Sequence, residues 1–227
     1  MNLLKVLSPE EILFLLLFIG VVFTAIWLSK FRDCLDMSGY MVILLSVLSM
    51  ITGFLTVSLF AKMENLGNPN GGRISLFGGV FFMPIAFGLG AKISKRKISE
   101  VFDIFTIPMI VAMMCGRTSC ILTGCCEGRP IPGLNGLKWP TRELELIFYL
   151  AILLYYAPKV LKRRTYGEVY PVYMMTYGIF RFIAETFRVS ASTNSVFHIS
   201  HIWAFVSLCV GSSIYIDLHE KRKRGVR

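Results

Sequence analysis

Apolar residues in this chain come in long, nearly unbroken blocks, with no heptad runs or low-complexity tracts between them. The blocks approach the roughly 20 residues that a helix needs to cross the ~30 Å core of a bilayer. The pattern predicts seven spans, near residues 11–29, 40–60, 75–94, 101–119, 143–158, 168–187 and 198–217. Their connections are short and leave no room for a soluble domain. We therefore predict an all-α integral membrane protein in which residues 1–227 form one membrane domain.

Composition supports that class, because 55% of the 227 residues are hydrophobic and the mean hydropathy is +0.63. The first block does not have the pattern of a signal peptide. It is long, it is preceded by the acidic pair Glu10 and Glu11, and no small-residue cleavage site follows it. We expect it to be the first of the seven spans.

Charge predicts how the chain is oriented. Most of the 24 Lys and Arg crowd alternate connections, near residues 30–32, 92–97, 159–164 and 221–227. The positive-inside rule then places the N-terminus outside and the C-terminus in the cytoplasm, as an odd number of spans also requires. The net charge of +10 is thereby explained by topology and by attraction to anionic lipid headgroups. Nucleic acid is not an expected partner.

Two arginines fall within or at the edge of predicted spans, where each costs about 2.5–3.5 kcal/mol at the bilayer centre. Arg181 has Glu185 four residues on, so the two share a helical face and can neutralise each other. Arg117 has no comparable neighbour in its own helix, so its partner must come from elsewhere. It is the better candidate for binding a ligand anion such as a lipid phosphate.

The predicted topology puts several polar stretches on the outer side. They are residues 71–79, 117–129, 139–145 and 181–188. The glycines among residues 67–79 permit turns and close backbone approach, although an ordinary glycine-rich loop would look the same. Because charged stretches converge on the same side, we expect one outward-facing site.

Specific motifs in these stretches resemble those of the phosphatidylglycerol–prolipoprotein diacylglyceryl transferase family. "GRTSCILTGCCEG" (residues 116–128) is similar to the family signature "GRxxNxxxGExxG", and "FGG" (77–79) to an outward "HGG". "WPTRELE" (139–145) corresponds to "HPxQLYE", and Asp103 to an aspartate upstream of the signature. The most specific match is "YGIFRFIAETFR" (177–188), which resembles "YGxFRFxxExxR".

The resemblance implies a transferase in the inner (plasma) membrane of a bacterium, with no cofactor. In that family a diacylglyceryl group passes from phosphatidylglycerol to the thiol of a lipobox cysteine in a preprolipoprotein. Arginines hold the lipid phosphate, and polar residues assist thiol deprotonation and departure of glycerol phosphate. The implied substrate-binding residues are Arg117, Gly128, Arg181, Glu145, Gly78, Gly79 and Asp103, and Glu185 is an implied catalytic residue.

Four positions depart from the family pattern. Phe77 and Trp139 stand where the family has histidines, Cys120 replaces the signature asparagine and Cys125 replaces the signature glutamate. An imidazole that could act as a base at neutral pH is therefore missing from its expected place. The alternative to a transferase is a homologue without catalysis that binds or moves lipids.

The cysteines Cys115, Cys120, Cys125 and Cys126 have four interpretations. They can be small buried packing residues, or Cys120 can form a disulfide with Cys125 or Cys126 on the oxidising outer face. A zinc site is weaker, because the spacing is not C-x2-C and no histidine is near. Finally, a nearby arginine and polar turn amides can lower the pKa of a cysteine and make it reactive. This last hypothesis makes Cys120, Cys125 and Cys126 candidate catalytic residues beside Glu185.

Overall fold

The computed structural model describes residues 8–64, 75–93, 95–124, 126–134, 136–188 and 199–224. These residues form seven helices: α1 (Pro9–Ser29), α2 (Gly39–Glu64), α3 (Phe77–Ile93), α4 (Ile98–Thr123), α5 (Thr141–Leu161), α6 (Val169–Thr186) and α7 (Ile199–Lys223). The described parts contain no β-strand, only two isolated bridges. The all-helical prediction is confirmed. The glycine-rich residues 65–74 and Cys125 lie outside the described residues.

Five helices are long and apolar enough to cross a bilayer. They are Glu11–Ser29, Gly39–Glu64, Ile98–Thr123, Thr141–Leu161 and Ile199–Lys223, and α3 adds a shorter apolar helix, Phe77–Lys92. A multi-pass membrane protein is thus confirmed, whereas seven complete spans stay a prediction. Helix α6, which contains Arg181 and Glu185, is not among these candidate spans.

Apolar side chains cover much of the outside of the bundle. Phe14, Ile43, Leu154 and Ile202 are each more than 60% exposed, while the charged side chains of Arg117 and four other residues are buried. A contiguous apolar surface of this kind does not suit water. It suits the hydrocarbon of a bilayer, whose thickness the long helices match.

Helix α4 is the central helix of the bundle. In its most apolar window 61% of the residues are buried, against 28% or less in the other four candidate spans. The indole Nε1 of Trp27 on α1 donates to the carbonyl of Ile104 at 2.9 Å. At its other end α4 stops at Gly124, which takes a left-handed φ of 71° and whose N–H donates to the carbonyls of Cys120 and Ile121. Arg117 is thereby placed in the last two turns of the central helix.

Asp103 lies near the beginning of α4, away from the end of the helix that carries Arg117. Its carboxylate accepts hydrogen bonds from the backbone N–H groups of Gly167 (2.6 Å) and Val169 (3.0 Å), where α6 begins. Arg117 is fourteen residues further along the same helix, a rise of about 21 Å. Asp103 therefore stabilises the start of α6 and does not reach Arg117.

Gly78 and Gly79 are also packing residues in this fold. A Cβ on Gly78 would lie 2.2 Å from the Thr56 carbonyl oxygen of α2, and one on Gly79 would lie 2.3 Å from the Met113 Cε of α4. The two glycines let α3 approach both neighbours closely. That approach brings the preceding residue, Phe77, into the interior.

Candidate active site

Four buried charged side chains form one ion network between α4, α5 and α6. Glu145 Oε2 lies 2.8 Å from Arg117 Nε and 3.3 Å from Arg181 Nη1. Arg181 Nη2 in turn lies 3.0 Å from Glu185 Oε2. Each of these four residues is at most 7% exposed. The structure thus confirms the Arg181–Glu185 pair and shows that the partner of Arg117 comes from another helix.

Three buried tyrosines adjoin the network, and the sequence analysis did not identify them. The Tyr149 hydroxyl donates to Glu145 Oε1 at 2.7 Å, so the two arginines share the other oxygen. The ring of Tyr177 stacks on Tyr149 (6.2 Å between centroids) and on Tyr173 (5.6 Å). A signal for them was available, because residues 173, 177, 181 and 185 recur at intervals of four and so share one face of α6.

Several polar atoms beside the network are buried without a hydrogen-bond partner among the described residues. The Nε of Arg181 is one of them, and the hydroxyls of Tyr173 and Tyr177 have no hydrogen-bond partner other than Tyr149. Buried polar groups are almost always satisfied by protein or by ordered water, because an unmade hydrogen bond is costly. The Arg181 Nε is therefore a donor that a bound anion could use.

Phe77 forms an aromatic wall of the network. The centre of its ring lies 5.7 Å from the Arg181 guanidinium carbon and 5.6 Å from the Tyr177 ring centre. A phenyl face attracts a cation but cannot accept or release a proton. Phe77 therefore gives Arg181 an aromatic contact and offers no group that can carry a proton.

The loop between α4 and α5 is fastened to the end of α6. The Arg129 N–H donates to the Phe187 carbonyl (2.8 Å), and its Nε donates to the Arg188 carbonyl (2.9 Å). Gly128 allows the two sides of this loop to approach each other, since a Cβ there would lie 2.0 Å from the Trp139 carbonyl oxygen. Gly128 is therefore placed beside the site as a packing residue.

An exposed ion pair closes the same loop. The Lys138 ammonium donates to the Glu127 carboxylate, and this hydrogen bond holds the pKa of Glu127 below its usual value. Neither side chain belongs to the buried network.

The predicted cysteine cluster is described only in part, because Cys125 lies outside the described residues. Cys120 is half-buried one turn beyond Arg117, and its carbonyl accepts a hydrogen bond from Arg142 Nη1 at 3.4 Å. Cys126 is also half-buried and has a positive φ of 59°. Cys115 is buried and lines an apolar cleft.

The apolar cleft is distinct from the network. It has a volume of about 90 Å³ and lies between α1, α2, α3 and α4. Leu76 and Gly116, which precede Phe77 and Arg117 in the chain, line one part, and Phe87 and Phe105 line another. None of the four charged residues of the network lines it.

Comparison with known proteins identifies the family. A sequence profile described as prolipoprotein diacylglyceryl transferase matches residues 11–216, nearly the whole chain. The chain belongs to this family. The resemblance found in the motifs is therefore confirmed, and with it the class of transferase.

Curated members of the prolipoprotein diacylglyceryl transferase family are only distantly similar in sequence. A phosphatidylglycerol–prolipoprotein diacylglyceryl transferase of Clostridium tetani is 25% identical over 70% of this chain and 69% of its own length. One from Finegoldia magna is 26% identical, covering 67% and 66% of the two chains. A second-copy enzyme of Clostridium perfringens is 24% identical over 52% and 51%. The matched segments thus span between half and about two thirds of these relatives' lengths.

Proposed function

We propose that this chain transfers a diacylglyceryl group from a phosphatidylglycerol-like phospholipid to the cysteine thiol of a lipobox-containing prolipoprotein. The observation that best supports the proposal is the buried network of Arg117, Glu145, Arg181 and Glu185. Family membership and the names of the relatives supply the reaction and the substrate classes.

In this proposal Arg117 and Arg181 bind the lipid phosphate. Each guanidinium still has N–H groups beyond those facing Glu145 and Glu185, and the Arg181 Nε has no acceptor within the described residues. The two glutamates hold the arginines in place and reduce the cost of burying them. In the reaction a C–S bond forms to the glyceryl carbon, its C–O bond to phosphate breaks, and glycerol phosphate leaves. Fixed guanidinium groups stabilise the charge that develops on this leaving group.

The proposal includes seven spans with the N-terminus outside, which places the network at the outer face of a bacterial inner membrane. Reporter fusions after Lys97 and Arg164 should report the cytoplasm, and fusions within residues 129–134 should report the outside. The opposite pattern would put the network on the cytoplasmic side, where an exported lipobox could not reach it.

The decisive experiment is a transfer assay with the purified full chain. It is mixed with phosphatidylglycerol and a lipobox peptide, and the products are analysed by mass spectrometry. We expect a diacylglyceryl thioether on the peptide and release of glycerol phosphate. A peptide with serine in place of cysteine and the protein variant Arg117→Ala are the controls, and both should give no product.

A second candidate is a homologue that binds lipid without transferring it, which the replacement of the family histidine by Phe77 favours. In the same assay this candidate predicts saturable binding of phosphatidylglycerol by the wild-type protein and no thioether at any pH. The two functions are thus separated by one mass spectrum.

A further inference from the structure

The proposed transfer requires a group that accepts the proton of the acceptor thiol, and the expected histidines are absent. Phe77 and Trp139 occupy their positions. The next inference rests on the proposed function, and it concerns which carboxylate near the network supplies this base. Among the described residues, the candidates are Glu145, Glu185 and Glu64.

Glu145 and Glu185 are poor proton acceptors because both are held by cations. Glu145 contacts Arg117, Arg181 and the Tyr149 hydroxyl. Glu185 lies within 3.0 Å of Arg181 and 3.7 Å of Arg188. Adding a proton to either would sacrifice buried ion pairs, which strongly favour the charged carboxylate.

Glu64 is held differently. It is the last residue of α2 and is half-buried, and its carboxylate is hydrogen-bonded to the side chain of Ser75, just before α3. Its Oε1 is buried and has no hydrogen-bond partner among the described residues. Within the same residues, no cationic nitrogen lies within 4.0 Å of it, unlike the other two carboxylates.

Glu64 lies at the same end of the bundle as the network. On α2 it is one turn beyond Phe60, whose ring centre lies 6.4 Å from that of Phe77, and the Phe77 ring centre lies 5.7 Å from the Arg181 guanidinium carbon. Arg181 and Arg188 attract the charge of Glu64, and Glu185 repels it. Among the described residues, Glu64 can take a proton without giving up a direct ion pair. No motif of the sequence analysis included this residue.

We propose that Glu64 is the catalytic base that accepts the proton of the lipobox thiol. The S–H bond breaks, its proton moves to the free Oε1 of Glu64, and the sulfur forms the C–S bond to the glyceryl carbon. The electron pair of the breaking C–O bond leaves with glycerol phosphate, held by Arg117 and Arg181. The proton then passes from Glu64 to the departing phosphate or to water.

The test compares Glu64→Gln with wild type in the transfer assay from pH 6.5 to 9.5. An ordinary thiol has a pKa of about 8.5, so about 1% is ionised at pH 6.5 and most of it at pH 9.5. We expect E64Q to be about 100-fold slower at pH 6.5 and within about twofold of wild type at pH 9.5. Phosphatidylglycerol binding should be unchanged at every pH.

Two further variants make the result specific. Glu64→His restores a base and should recover transfer above about pH 6.5, the usual pKa of histidine. If E64Q does not fold, Glu64→His takes its place in the test. Glu100→Gln, at the opposite end of the bundle where Glu100 accepts from the Cys34 thiol, is the matched control and should keep the wild-type rate.

The outcomes are distinguishable. An active wild type with an equally active E64Q overturns the assignment of Glu64 and leaves the proposed function intact. An E64Q deficit that is the same at all pH values, without rescue by E64H, assigns Glu64 a structural role and also overturns it. A wild type that binds phosphatidylglycerol but transfers nothing overturns the proposed function together with the base.

Discussion

Buried acids at the two ends of the helical bundle are stabilised in opposite ways. At one end Asp103 is satisfied by the backbone N–H groups of Gly167 and Val169. At the other end Glu145 is satisfied by the side chains of Arg117, Arg181 and Tyr149. Backbone amides are fixed by the fold, whereas arginine side chains can also present donors to a second anion. The first arrangement joins two helices, and the second leaves binding capacity.

The two ends of the bundle also differ in whether their buried polar atoms have hydrogen-bond partners. Both Asp103 oxygens accept hydrogen bonds from the protein. Around Glu145, by contrast, the Arg181 Nε is buried without a partner in the described part of the chain, and the Tyr173 and Tyr177 hydroxyls have only Tyr149 as a hydrogen-bond partner. A buried charge alone is therefore not evidence of a functional site in this protein. The unsatisfied donors next to it are the distinguishing feature.

The largest expected effect comes from removing the shared carboxylate. Glu145→Ala would leave Arg117 and Arg181 buried without their common partner, which we expect to cost about 3–5 kcal/mol of unfolding free energy. Unfolding in mixed micelles measures this loss, and transfer should be abolished. A loss below about 1 kcal/mol would mean that water already compensates the arginines.

Asp103→Asn tests the end of the helical bundle where Asp103 lies. One carboxylate oxygen that accepts a backbone N–H is replaced by an amide nitrogen, so we expect a loss of about 1–3 kcal/mol. The folded fraction should bind phosphatidylglycerol with wild-type affinity and transfer at the wild-type rate, because Asp103 is about 21 Å from the level of Arg117. Selective loss of lipid binding in this variant would contradict the separation of the two ends.

How much of this arrangement could be predicted from sequence depends on how far apart in the chain the contacting residues lie. The helices followed from apolar block length, and the Arg181–Glu185 pair from its spacing of four on one helix. The Arg117–Glu145 pair joins residues 28 apart on different helices, so no local pattern identifies the partner. The family resemblance named all four residues of the network, but it did not predict that Glu145 is the partner of Arg117.

The separation of Asp103 from Arg117 was not predicted for a related reason. Its match to a family motif was local, whereas its position depends on how far a 26-residue helix carries the chain. Glu64 was missed because no motif contains it and because its hydrogen bond to Ser75 crosses from α2 to α3. The tyrosines Tyr173 and Tyr177, in contrast, continue the spacing of Arg181 and could have been recognised.

Replacing the guanidinium of Arg117 by an ammonium tests whether the network end of the bundle needs the shape of arginine as well as its charge. Arg117→Lys keeps the cation but loses the planar fork that can hold a carboxylate and a phosphate at once. We expect about tenfold weaker phosphatidylglycerol binding, measured by titration in nanodiscs. Arg96→Lys is the control, since Arg96 pairs with the exposed Asp36 at the Asp103 end, and it should bind lipid as the wild type does. Equal affinities in both variants would show that a point charge suffices.

The smallest effect is expected from the cysteine next to the network. The hypothesis of a reactive Cys120 relies on Arg117 to stabilise a thiolate. In the structure the Arg117 Nε already faces Glu145 Oε2 at 2.8 Å, so much of its positive charge is compensated. We therefore expect Cys120→Ser to keep the transfer rate within about threefold, because transfer goes directly to the lipobox thiol. Cys209→Ser, which changes an exposed thiol on α7, is the matched control.

Intact-mass analysis after incubation with donor lipid alone should show no diacylglyceryl adduct. A stable adduct that Cys120→Ser removes, together with loss of transfer, would instead make Cys120 an intermediate carrier of the group.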